Sequence, residues 1–193
     1  MSLYTAIVTP FKDDKVDLES LSDLLDYQFS NGVDKVVIFG TTGEAPTINE
    51  DEKIQVLDFI VNKYNNDEFL DNFVIGFSGN NTKKVIDDIL KVNNYYGFNY
   101  YMLSAPYYNK PTQEGIYRHF TTIMNSFPEK KFMIYNIPSR TGVNMLPETI
   151  IRICQTCTNY FGVKEASGNL DQVIALTKAN IPTFSGDDNM GYQ

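Results

Sequence analysis

The sequence has no apolar run of membrane-spanning length, about 20 residues, although 42% of its 193 residues are apolar. Its opening, Met1-Ser2-Leu3-Tyr4-Thr5, lacks the basic and apolar regions of a signal peptide, so a soluble cytoplasmic protein is expected, with no membrane partner. Basic residues never cluster beyond the pairs Lys83-Lys84 and Lys130-Lys131, and the net charge is −8. A nucleic-acid partner, which needs a basic face to meet phosphates, is therefore not expected. The two cysteines, Cys154 and Cys157, and the single histidine, His119, fall short of the four ligands of a structural zinc site. The C-x-x-C lies late in a helical run rather than after a strand, which favours two reduced thiols over a thioredoxin-like pair. His119 is expected on a helix surface.

Apolar, β-rich runs recur at Ala6–Thr9, Val36–Phe39, Phe73–Phe77, Tyr100–Leu103, Phe132–Tyr135, Phe161–Lys164 and Thr183–Ser185. Helical patterns lie between them. Asp17 to Ser30 places Leu18, Leu21, Leu24 and Leu25 on one face, and Asn49 with Glu52 reads as a capping box. Thr82 and Gln113 open further helices, the latter with Ile116, Tyr117, Phe120 and Ile123 as its apolar stripe. Pro147 suits a first helical turn, and Asn169 with Gln172 reads as a second capping box.

Strict alternation of strand and helix means a parallel sheet covered by helices. A doubly wound sheet usually carries a glycine-rich phosphate turn after its first strand; here that turn is Thr9-Pro10-Phe11-Lys12, without glycine. Instead, Gly, Pro, Asn, Ser and Thr gather after each of the seven strands, where barrel active sites lie. The expected fold is α/β, a (β/α)8 TIM barrel, read as one domain over residues 1–193. A complete barrel needs about 250 residues, so the expectation is an incomplete one, with seven strands, six helices and no eighth unit. Either the sequence is a fragment, or the protein is incomplete in nature.

Chemistry concentrates in three stretches. In Phe161-Gly162-Val163-Lys164-Glu165-Ala166-Ser167-Gly168, strand alternation places Lys164 on one face with Gly162 and Ala166, leaving room above it for a ligand. Burial lowers an amine's pKa and frees it as a nucleophile for Schiff-base formation. The plain alternative is a lysine reaching solvent from a strand end. In Tyr135-Asn136-Ile137-Pro138-Ser139-Arg140-Thr141-Gly142, Tyr135 ends a strand beside that of Lys164, where a phenol can move protons. Arg140, one of three arginines, suits bidentate carboxylate binding, or else an ordinary surface salt bridge. Gly40-Thr41-Thr42-Gly43-Glu44 offers amides and hydroxyls that suit a carboxylate, a weak signal by itself.

Taken in order, these three motifs, with Tyr107-Tyr108-Asn109-Lys110-Pro111 and Ser185-Gly186-Asp187-Asp188, resemble the pyruvate-dependent class I aldolases, the dihydrodipicolinate synthase family most closely. The resemblance covers the chain from Tyr4 onward. It implies that Lys164 forms the Schiff base with pyruvate and that Thr42, after Thr41, holds the pyruvate carboxylate. It implies a proton relay of Thr41 and Tyr135 completed by Tyr108 from a neighbouring subunit. Arg140 would bind the carboxylate of aspartate semialdehyde, and Gly186 would lend backbone to the pocket. No metal or organic cofactor is implied, and the full-length assembly would be a dimer of dimers. Two alternatives stand beside this reading: a pyruvate-releasing aldolase acting on sialic acid or keto-deoxy sugar acids, and a truncated, non-catalytic remnant. The Arg-Thr-Gly ending at Arg140 favours the synthase over the lyases.

Overall fold

The computed structural model describes residues 2–186. The chain forms two compact units, Met1–Gly76 with Lys91–Tyr100, and Phe77–Leu90 with Tyr101–Gln193.

In the first unit, β1 (Tyr4–Ala6) pairs in parallel with β4 (Lys35–Ile38), and β4 with β5 (Phe73–Gly76). All four residues of β5 are buried, as expected for a strand covered on both faces. A small antiparallel hairpin follows β1, formed by β2 (Phe11–Lys12) and β3 (Lys15–Val16). Asp13 and Asp14 turn it with positive φ, a conformation that aspartate tolerates. Helix α1 (Leu18–Ser30) begins at Asp17, whose carboxylate accepts from the amides of Glu19 and Ser20, and the helix buries Leu21 and Leu25. Helix α2 (Glu50–Tyr64) has the expected capping box, with Asn49 and Glu52 each accepting the other's amide at 2.9 Å. After the short α3 (Asp67–Leu70), an aromatic cluster of Phe29, Tyr64, Phe69 and Phe73 fills the core at centroid distances of 4.3–6.4 Å.

The second unit carries α5 (Gln113–Ser126), β7 (Lys131–Asn136), α6 (Pro138–Thr141), α7 (Pro147–Thr156), β8 (Tyr160–Glu165), α8 (Leu170–Lys178) and β9 (Thr183–Ser185). Helix α4 (Thr82–Tyr95) and strand β6 (Tyr100–Ser104) have residues in both units. β7, β8 and β9 pair in parallel. Ile116, Phe120 and Ile123 of α5, Ile150 and Ile153 of α7, and Phe132, Ile134 and Val163 of the strands are buried. Each such side chain contributes roughly 1.5–3 kcal/mol.

The strand order is β1-β4-β5-β6-β7-β8-β9. Each strand of the sheet adds beside its predecessor, with no reversal. That is the winding of a barrel; a doubly wound sheet reverses direction at a switch point. The fold is an incomplete (β/α)8 barrel, as expected.

Four expectations need correction. The first strand lies at Tyr4–Ala6, earlier than Ala6–Thr9. Only the Ile7 amide extends the pairing, to the Val37 carbonyl, before the Thr9 hydroxyl turns to the Gly43 carbonyl at 2.8 Å. His119 is buried, not on the surface. Residues 116, 119, 120 and 123 are spaced i, i+3, i+4, i+7, so they form one stripe, while Tyr117 stacks against the Arg152 guanidinium at 3.6 Å. The Asn169 side chain caps α8 through the Asp171 amide, and Gln172 makes no reciprocal cap; it faces inward. The space over Gly162 is filled by Phe184, whose ring would lie 2.5 Å from any added Cβ.

Candidate active site

One irregularity in β8 decides which residues meet. Phe132 pairs with Tyr160, yet Met133 pairs with Gly162, so Phe161 is an extra, bulged residue. From there Tyr135 lies opposite Lys164 and Asn136 opposite Glu165. Without the bulge Tyr135 would meet Val163, and Lys164 would meet Asn136. A one-residue slip moves every side chain to the opposite face.

Tyr135, Lys164 and Phe184 form one row across three strands. Lys164 is half-buried, and its Nζ lies 4.7 Å from the centroid of the buried Tyr135 ring, within cation–π range. Gly186 closes the other side. Its amide donates to the Glu165 carbonyl at 2.8 Å, and an added Cβ would meet Ala166 Cβ at 2.6 Å and Lys164 Cε at 3.3 Å. Only a residue without a side chain lets the backbone approach the lysine so closely. Tyr135, Lys164 and Gly186 are therefore brought together. Asp187 and Asp188, expected after Gly186, lie outside the described residues.

Arg140 lies in the last turn of α6, which Pro138 opens and Gly142 ends in the left-handed conformation. Its side chain is exposed and makes no ion pair among the described residues. The other two arginines differ: Arg118 and Arg152 both bind Glu114, at 2.9 and 2.6 Å. Tyr108 joins the same region, its amide donating to the Thr141 carbonyl at 3.3 Å. Its φ is +73° and its side chain is 84% exposed. Bulky residues adopt such backbone rarely, and such strain clusters at functional sites.

Thr41 and Thr42 belong to the first unit, in the loop after β4. Both side chains are exposed. The loop itself is firmly held: Glu44 donates its amide to the Thr41 carbonyl at 3.1 Å, and Gly43 packs within 3.1 Å of Ile7 O and 3.2 Å of Phe39 N, measured from an added Cβ. Phe39 is buried at φ +54°, and a Cβ on Gly76 would lie 2.2 Å from its carbonyl oxygen, so glycine is required there.

Behind Lys164 lies a network not anticipated from the sequence. Asn136 Nδ2 donates to both Glu165 oxygens at 3.1 and 3.0 Å and to Asn144 Oδ1 at 2.9 Å. The Ser167 amide donates to Glu165 Oε1 at 2.8 Å, and Gln172 Nε2 to Oε2 at 3.4 Å. Asn144 Nδ2 completes it by donating to Gln172 Oε1 at 2.6 Å. The signal that could have found it was two polar residues, Asn136 and Glu165, each ending a strand.

Among the described residues, no group of three or more His, Cys, Asp or Glu could hold a metal ion, and no helix is long and apolar enough to cross a membrane. Cys154 and Cys157 are buried free thiols; burial pushes Cys154 up to about 12, which makes it a poor nucleophile.

The dihydrodipicolinate synthetase family model matches residues 1–193. The chain belongs to the dihydrodipicolinate synthetase family. It is 42% identical over 191 residues to the 4-hydroxy-tetrahydrodipicolinate synthase of Parabacteroides distasonis, covering 97% of this chain and 63% of that protein. A dihydrodipicolinate synthase structure from Bacillus anthracis superposes with a TM-score of 0.90 at 33% identity, over 99% of this chain and 65% of that one. A structure described as the first monomeric dihydrodipicolinate synthase variant gives 0.87 at 38% identity, over 97% and 63%. The chain thus spans a little under two thirds of the length of these relatives.

Proposed function

We propose that this protein condenses pyruvate with aspartate semialdehyde to give 4-hydroxy-tetrahydrodipicolinate, in lysine and diaminopimelate biosynthesis. The observation that carries this reading is the Lys164 amine held in register with Tyr135 and against the bare backbone of Gly186.

The Lys164 amine attacks the ketone of pyruvate and expels water, giving an iminium. The positive nitrogen acidifies the adjacent methyl group, and loss of a proton gives an enamine. Tyr135, with Thr41 and Tyr108, serves as the proton relay. The enamine carbon adds to the aldehyde of the second substrate. The amine of that substrate then closes the ring on the iminium carbon and releases Lys164. Thr42 holds the pyruvate carboxylate, Gly186 lends backbone to the pocket, and Arg140 receives the second carboxylate. The exposed guanidinium in the last turn of α6 supports this role, and the Arg-Thr-Gly ending at Arg140 favours the synthase. At full length the assembly is a dimer of dimers, with Tyr108 offered to the neighbouring copy; its exposure fits that use.

The test is substrate choice. The protein at its full natural length should form the cyclic product from pyruvate and aspartate semialdehyde. Release of pyruvate from sialic acid or a keto-deoxy sugar acid, with no condensation, would contradict the proposal.

A further inference from the structure

We infer that Glu165 is a positioning residue for the chemistry at Lys164, acting through a clamp with Asn136; this rests on the reading of Lys164 as the Schiff-base lysine. The Glu165 carboxylate is only 4% exposed. It is in no ion pair among the described residues, and its partners are neutral N–H donors: Asn136, Ser167 and Gln172. A buried carboxylate satisfied in this way is an expensive group to keep for stability alone, since an apolar side chain of similar size fills such space without desolvating a charge.

Its position supplies the reason to keep it. Asn136 follows Tyr135 and Glu165 follows Lys164, so the clamp joins the two strand ends one residue beyond the reacting pair, on the opposite face. The bulge at Phe161 has already shifted the register by one residue, and Asn136–Glu165 pins the shifted register at its far end. The same two residues set the adjoining backbone. The Asn136 carbonyl accepts the Ala166 amide at 2.9 Å, and the Glu165 carbonyl accepts the Gly186 amide at 2.8 Å. Asn136 Oδ1 also accepts the Met145 amide at 3.1 Å, which ties the segment after Arg140 to the same point.

The clamp has a polarity that mutation can reverse. In Glu165→Gln the new amide N–H₂ opposes the N–H donors of Asn136 or Gln172 with almost no change in shape. In the double variant Asn136→Asp with Glu165→Gln, the donor and acceptor are exchanged and the pair is restored. The experiment is rapid-quench trapping of the pyruvate adduct by borohydride, with steady-state turnover and melting temperature, on the wild-type protein and both variants at full natural length. We expect Glu165→Gln to slow trapping and kcat by about 10- to 100-fold, with KM for pyruvate within about threefold. The double variant should recover at least about tenfold. If Glu165→Gln melts lower but reacts at the wild-type rate per folded molecule, the residue is merely structural and the inference is overturned. Equal slowness of the single and double variants overturns the Asn136 clamp. No adduct on the wild-type protein overturns the reading of Lys164, and this inference with it.

Discussion

On one face of the β8 terminus, the Lys164 amine lies half-buried beside an aromatic ring and a bare glycine. On the other, one residue later, the buried Glu165 carboxylate accepts hydrogen bonds from three residues. Alternation along a strand makes this division possible, because adjacent residues never share a face. One face carries a half-buried amine beside a ring; the other spends its polar groups on one another and holds the geometry. A half-buried amine and a hydrogen-bonded carboxylate thus stand back to back on two consecutive residues.

The largest effect expected on the open face is that of Tyr135→Phe. It keeps the ring beside Lys164 and removes only the hydroxyl, so kcat per folded molecule should fall by about 10²–10⁴-fold. A turnover unchanged in steady-state assays would remove Tyr135 from the chemistry. Arg140→Ala should raise KM for aspartate semialdehyde by roughly 10- to 100-fold, the scale of a charged hydrogen-bonding pair. The pyruvate adduct should form as before; a matching loss of pyruvate binding would place Arg140 elsewhere.

On the closed face the effect should appear in stability. Asn144→Ala removes the acceptor of Asn136 Nδ2 and the donor to Gln172 Oε1, at an expected cost of about 1–3 kcal/mol in chemical denaturation. No loss would mean that the network is slack.

A last effect is set by pH. Burial lowers His119 to about 4 from its ordinary 6.5, and its Nδ1 lies 2.9 Å from Thr82 Oγ1. The unfolded chain therefore binds this proton more readily than the folded one. The stabilisation is complete above about pH 6.5 and is lost as pH falls towards 4, at no more than about 1.4 kcal/mol per pH unit. In His119→Gln, stability measured across that window should flatten; an unchanged slope would assign the acid sensitivity to other groups.

The parallel barrel was legible because strand alternation and loop composition are local signals, and the same signals singled out Lys164, Tyr135 and Arg140 as candidates. The register of β7 and β8 was not. It depends on a single bulged residue, Phe161, that no periodicity announces. Asn136, Glu165 and Gln172 were read as loop or cap residues because each looks polar and local; their partners are 28 or 29 residues away, or across the α8 start. His119 was misplaced for a simpler reason: its spacing from Ile116, Phe120 and Ile123 puts it on the buried stripe of α5, but its polar residue type was read as a sign of exposure.

The most direct test of the central claim is the intact mass of the full-length protein after pyruvate and borohydride, with the adduct mapped by peptide sequencing. The account predicts one reduced pyruvate adduct, on Lys164, absent from Lys164→Arg. An adduct on any other lysine, or none at all, would contradict it.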